Sequence, residues 1–159
     1  MDLPAASTRQ RQPASRPPWE VSSVMPPLAA LRTAASDARA YVRSALAVWE
    51  LSHLADTAAT IVSELVANAV NASTDEYGRP LYRDGRILLV WVRLHADQAR
   101  LKAEVWDQAP GVPVLQDVRN DSESGRGLAL VRDLSDSWDW HPFTGQPGKC
   151  VWAQLSIAP

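Results

Sequence analysis

Residues 63–73 read SELVANAVNAS and place Glu64, Asn68 and Asn71 in a run otherwise rich in Leu, Val and Ala. Spacings of four and three residues align these side chains on one face of an α-helix. A carboxylate and two amides on such a face need partners, because a buried polar group left alone costs roughly 1–3 kcal/mol. Protein, water or a ligand could supply them. Two further stretches carry candidate chemistry. VWDQAPGVP puts Asp107 at the end of an apolar strand pattern, ahead of a turn with Gly and Pro. SGRGLALV sets Gly125 and Gly127 just before a short helical pattern. Taken singly, the Asp suits an Asx-turn as well as a ligand site, and the Gly-x-Gly suits a simple turn into a helix.

The elements that must position these residues follow from periodicity. Apolar positions at Leu31, Ala35, Ala38, Val42, Ala45, Leu46 and Trp49 recur at helical spacing, which predicts a first helix from Leu28 to Leu51. Residues 56–73 are expected as a second, more apolar helix. WEVSSVM (19–25) is expected as a short edge strand closed by Pro26 and Pro27. RILLVWVRLHA and RLKAEVWD are expected to pair as a hairpin, and SWDWHPF and GKCVWAQLSI as a final strand pair. TDEYGRPLYRDG (74–85) reads as a loop. The stretch QAPGVPVLQDVRNDSESGRG is long and polar, and such a loop in a compact domain is usually functional or disordered. Residues 1–18, rich in Pro, Ser, Arg and Gln, are expected as a disordered leader to a single domain at 19–159. The order β-α-α-β-β-loop-α-β-β predicts an α+β fold, a two-layer sandwich of a mixed β-sheet with helices on one face.

Composition narrows the function classes. A chain of 159 residues, 46% hydrophobic and with seven Trp, can bury a substantial core. Its net charge of −2, with scattered basic residues, gives no basis for nucleic-acid or membrane-surface partners. Cys150 is the only cysteine, which excludes an internal disulfide or a Cys-based zinc site and suits a reducing compartment. His53, His95 and His141 lack metal-cluster spacing. No run approaches a membrane span and the N-terminus has no apolar signal core, so a cytoplasmic location is expected.

With these segments in order, the chain resembles the GHKL (Bergerat-fold) ATP-binding superfamily, and within it the small anti-sigma-factor serine/threonine kinase-like ATP-binding domains of actinobacterial type. The resemblance covers about residues 28–157. ARAYVRSALAVWEL resembles the first helix, IVSELVANAV the N box, VWDQAPGVP the G1 box, GRGLALVRDLSDSW the G2 box and GKCVWAQL the last strand. Each is weak alone, and together in this order they are specific. The resemblance implies ATP and Mg²⁺ as cofactors. It gives Glu64 the role of polarising an attacking hydroxyl or water, and Asn68 that of Mg²⁺ ligand, a neutral oxygen for a cation that takes few ligands from protein. Asp107 would accept from the adenine amine, and Gly111 would let the backbone pass close to the base. Gly125, Gly127 and the N-terminus of the helix beginning at Leu128 would meet the phosphates, with Arg126 either a further phosphate contact or a solvent-facing residue. Residues 112–124 would form an ATP lid.

Ala109 stands where this box usually has Gly. Asn71 and Cys150 stand where a basic residue and Thr are common, and both are carried as nucleotide-binding candidates. LSHLAD around His53 faintly echoes the phosphoacceptor box of histidine kinases. That box lies on a separate hairpin, and His53 is expected as an interhelix turn residue instead. By resemblance the partners are ATP or ADP, a sigma factor, an anti-anti-sigma-type antagonist and a second copy of the chain. Tyr41 and Trp49 on the first helix would serve either a partner surface or the core. The implied activity is a Ser/Thr protein kinase that phosphorylates the antagonist and sequesters the sigma factor. The alternative is a catalytically silent, nucleotide-gated binding module.

Overall fold

Strand alternation gives the sheet its two faces. In a computed structural model of the chain, which describes residues 20–113 and 126–158, the strands are β1 (Val21–Val24), β2 (Leu28–Ala29), β3 (Tyr82–Arg83), β4 (Arg86–Ile87), β5 (Leu89–Ala96), β6 (Arg100–Asp107), β7 (Ser137–Pro142) and β8 (Lys149–Ser156). The main sheet runs β1-β5-β6-β8-β7, with β2 also on β5. The two-layer α+β sandwich is as expected, and every described strand pair within it is antiparallel. On β5 and β6, Val90, Val92, Leu94, Leu101, Ala103 and Val105 are buried in the main core. The alternate positions Trp91 and Trp106 belong, with Cys150, to a second cluster, as period-two alternation requires.

The helices are α1 (Ala34–Val48), α2 (Ala55–Ala72) and α3 (Arg126–Leu134). α2 packs on β5, β6 and β8 and contacts both α1 and α3. That explains its sequence: Ala58, Ala59, Ile61, Val62, Leu65, Val66, Ala69 and Val70 are all buried, far more than a one-sided amphipathic helix needs. Small residues on both helices, such as Ala34, Ala38, Ala58 and Ala59, let α1 and α2 approach. Each buried Val, Leu or Ile contributes roughly 1.5–3 kcal/mol through removal from water.

α1 stops where Glu50 takes a left-handed conformation (φ 60) and Leu51 N–H donates back to Leu46 O at 2.8 Å, a Schellman closure with Glu where Gly is usual. His53 follows in a 3₁₀ turn (Ser52–Leu54), and its Nε2 lies 3.2 Å from the Ile157 carbonyl, tying the interhelix turn to the end of β8.

Two expectations are corrected. The first helix does not begin at residue 28: β2 occupies Leu28–Ala29 and pairs with Val90 and Leu89. Residues 74–85 are not all loop, because β3 and β4 form a small ribbon turned by Asp84 (φ 51) and Gly85 (φ 71). Trp49 and Tyr41 pack, partly buried, against the core. The Tyr41 hydroxyl donates to Ser23 Oγ at 2.5 Å, and burial holds its pKa above the usual phenol value. The leader, Trp19, residues 114–125 and the Arg126 side chain lie outside the described residues.

Candidate functional site

A cavity of about 350 Å³ opens between α2, α3 and the helix-covered face of the sheet. Its walls are apolar, with Leu65, Ala69, Val105, Leu128 and Val151 among them. Its polar groups are few: Asn68 and Asn71 from α2, Asp107 from the end of β6, and Lys149 from the start of β8. Apolar walls with a few convergent polar groups are what a small-molecule site needs.

The helix supplies one end. Glu64 and Asn68, one turn apart on α2, both face Gly127 in the first turn of α3: a Cβ on Gly127 would lie 2.8 Å from Glu64 Oε2 and 3.4 Å from Asn68 Oδ1. Gly127 is therefore where α3 closes on the two polar residues. Asn68 Nδ2 is buried with no hydrogen-bond partner among the described residues. A buried donor without an acceptor is costly, so this atom suits a ligand bearing oxygen acceptors. Asn68 Oδ1 is the kind of neutral oxygen that Mg²⁺ takes singly from protein. Asn71, exposed, lines the rim.

The sheet supplies the other end. Asp107 is almost fully buried, and its Oδ1 accepts from Lys149 Nζ and from the Ala109 amide, each at 2.9 Å. The Ala109 contact is an Asx-turn, made while Asp107 also lines the cavity. Burial pushes the Asp107 carboxyl above the usual Asp range, and Lys149 and the Ala109 N–H pull it back only in part. Gly111 adopts φ 98, a conformation that favours glycine, and turns the chain away beyond Ala109. Gln108 is pinned from outside: Arg83 Nη2 donates to its carbonyl at 2.7 Å, and its Oε1 accepts from Leu89 N–H at 3.0 Å. At Gly148 (φ 133) a Cβ would sit 2.5 Å from the Asp107 carbonyl oxygen and clash with the Phe143 ring. Only glycine lets β8 start this close to Asp107.

Asn68, Asn71, Asp107 and Leu128 thus line one cavity, and Glu64 and Gly127 lie beside Asn68 at its helix end. Leu128 does not open α3, which starts at Arg126, but lines the cavity from the first turn. Gly125 and most of the expected lid lie outside the described residues; Val112 and Pro113, its first two positions, line the cavity.

Cys150 is misplaced by the sequence reading. It pairs with Trp106 across β8 and β6 and sits fully buried against Trp91 and Trp106 on the opposite face. Burial pushes its thiol far above the usual range, so it is no thiolate. The residue that faces the cavity is its neighbour Lys149, paired with Asp107. The alternation of Lys149, Val151, Ala153 and Leu155 carried that signal: three apolar residues and one Lys share the buried parity.

A second depression, of about 530 Å³, lies on the open face and is lined by Glu20, Ser22, Arg93, His95, Lys102 and Glu104. There Glu104 pairs with Arg93 and with Lys102 (3.0 Å), and His95 Nε2 lies 2.7 Å from Glu20 Oε1. None of the six was a candidate from sequence. No described helix is long and apolar enough to cross a membrane.

No curated protein gives a significant match to the chain. Residues 28–155, from β2 to the penultimate residue of β8, match the histidine kinase-like ATPase domain, and every described wall of the Asp107 cavity falls within that match. The chain belongs to the histidine kinase-like ATPase domain family, of the GHKL type.

Proposed function

We propose that this chain is an ATP-binding serine/threonine protein kinase of the anti-sigma-factor type. Its phosphoryl acceptor would be a Ser or Thr of an anti-anti-sigma-type partner, and the same domain would hold a sigma factor inactive. The observation that carries the reading is the polarity of the Asp107 cavity: a buried carboxylate at its sheet end, and at its helix end Asn68, whose buried amide has no partner among the described residues, with Glu64 beside it. That arrangement suits a ligand with an amine-bearing base at one end and phosphates at the other.

In this reading Asp107 accepts from the adenine 6-amino group and the apolar walls sandwich the ring. Asn68 offers its oxygen to Mg²⁺, which when bound offsets phosphate charge. The first turn of α3, at Gly127, sets backbone N–H groups near the phosphates. Glu64 orients the acceptor hydroxyl and takes its proton as that oxygen bonds to the γ-phosphorus, while the bond to the β,γ-bridging oxygen breaks and ADP leaves. Phosphoryl transfer asks little more of a protein than such positioning and charge stabilisation.

Calorimetric titration with Mg²⁺-ATP and Mg²⁺-ADP tests the pocket, with Asn68→Ala expected to abolish the Mg²⁺ dependence. Transfer of label from γ-³²P-ATP to a purified anti-anti-sigma-type protein tests the chemistry, with Glu64→Ala expected to abolish transfer but keep binding. Binding without transfer in the wild type would reduce the chain to a nucleotide-gated docking module.

A further inference from the structure

The antiparallel register of β6 and β8 sets one row of facing pairs on the helix-covered side of the sheet: Leu101↔Leu155, Ala103↔Ala153, Val105↔Val151 and Asp107↔Lys149. The first three are apolar and belong to the core. The fourth is an ion pair with both side chains at 5% exposure or less. A fold that needed only core here would continue the row with apolar residues, because a buried ion pair is commonly no more stable than its hydrophobic replacement. The switch from apolar to charged occurs where the row reaches the cavity, which both residues line.

The pair is also incompletely used. Asp107 Oδ1 takes both described bonds, from Lys149 Nζ and Ala109 N–H, and among the described residues none reaches Oδ2. An ammonium carries three donors, and the one described bond of Lys149 Nζ uses one of them. An acceptor and a donor therefore stand side by side at the cavity wall, held by the Asx-turn at Ala109 and by the close approach of Gly148 to the Asp107 carbonyl. The 6-amino group and N1 of adenine present the complementary donor and acceptor on two nitrogens bonded to the same carbon, C6.

We propose that Lys149 is a base-reading residue: its ammonium donates to adenine N1 while the Asp107 carboxylate accepts from the 6-amino group. This rests on the ATP reading above and assigns the specificity of that site. Lys149 does not merely neutralise Asp107, and it does not plug the base seat.

The test compares Mg²⁺-ADP with its 1-deaza analogue, in which N1 is replaced by C–H, by calorimetry on the wild type and on Lys149→Met. A lost hydrogen bond to a charged donor predicts about 10- to 100-fold weaker binding of 1-deaza-ADP to the wild type. Lys149→Met should bind ADP with a similar loss and should no longer distinguish the two ligands. GDP should bind the wild type more weakly than ADP, because O6 and N1–H reverse the order of acceptor and donor. Equal binding of ADP and 1-deaza-ADP by the wild type overturns the proposal and leaves the ATP pocket standing. A loss in Lys149→Met with no deaza effect in the wild type reduces Lys149 to a counter-ion, and tighter ADP binding by the variant makes it a plug; either outcome sinks the proposal. GDP binding as tight as ADP overturns the assigned order. If no nucleotide binds the wild type at millimolar concentration, the ATP reading fails and takes this inference with it. The wild-type ligand comparison decides the matter even if the variant does not fold.

Discussion

Strand β6 carries two buried carboxylates three residues apart, Glu104 and Asp107, and they point to opposite faces of the sheet. Glu104, on the open face, has two cations: Lys102 at 3.0 Å and Arg93, whose guanidinium also lies over Trp106. Burial pushes its carboxyl up, but Lys102 and Arg93 more than offset this and hold it below the usual Glu range. Asp107, on the helix-covered face, has one cation and one backbone N–H among the described residues, and burial wins. The open-face carboxylate is compensated beyond its need, and the cavity carboxylate is left short. A group kept short of partners in a cleft is the one a ligand can complete. The 530 Å³ depression is thus a closed account of paired charges, while the smaller cavity retains capacity for new hydrogen bonds.

Gly148, where the two faces meet, should give the largest effect. Alanine there would press its Cβ on the Asp107 carbonyl and the Phe143 ring while holding φ 133. Backbone strain and overpacking together predict a loss of about 3 kcal/mol or more in urea unfolding. A wild-type unfolding midpoint in Gly148→Ala would show that β8 does not need its close approach to Asp107.

The contrast itself is tested by paired substitutions. Asp107→Asn replaces the acceptor and leaves the Lys149 charge without its carboxylate, so ADP affinity should fall about 100-fold by calorimetry. Glu104→Gln should leave ADP affinity within about twofold and cost only about 1 kcal/mol of stability, because Arg93 and Lys102 are about a third exposed and water screens them. Equal losses of affinity in the two variants would erase the distinction between the faces.

How far the sequence revealed this contrast depended on the signal each residue carried. Glu64 and Asn68 were legible because helical spacing is a strong constraint, and Asp107 because it ends an apolar strand. The two main hairpins were legible from their long runs. β2 was hidden because Leu28 and Ala29 fit the helical pattern that follows them. The β3–β4 ribbon has strands too short to show alternation, although Asp84-Gly85 is a hairpin-turn signal that could have marked it. Cys150 was chosen over Lys149 by motif position, and in a strand a slip of one residue exchanges the faces. Strand parity alone could not say that the open face would bury Trp91 and Trp106 with no helix over it among the described residues; Phe143, Leu89 and Arg93 pack there.

Acidification separates the two carboxylates by sign. The folded pKa of Glu104 is lowered, so its stabilising contribution is present above the ordinary Glu range and is lost only as pH falls through the depressed value. The folded pKa of Asp107 is raised, so its contribution to the unliganded fold is present below the ordinary Asp range and is lost as pH rises through the raised value. As pH falls from neutral, protonation of the raised Asp107 carboxyl removes the acceptor for the 6-amino group, and ADP affinity should drop several-fold. Phosphate protonation adds the same slope to any variant, so the extra slope of wild type over Asp107→Asn isolates the carboxylate. Identical slopes would mean that Asp107 does not titrate in the binding step.

The smallest effect belongs to Cys150. It shares its strand with Lys149 and lies one residue from it, yet it is walled off by Trp91 and Trp106. Cys150→Ala should leave ADP affinity within about twofold, and the native thiol should resist a disulfide reagent until the chain unfolds, since a buried, protonated thiol is a poor nucleophile. An affinity change comparable to that of Asp107→Asn would mean that the sheet transmits strain from one face to the other. The independence of the two faces rests on one-residue alternation, and Cys150 and Lys149 are the adjacent pair at which that independence is most exposed to test.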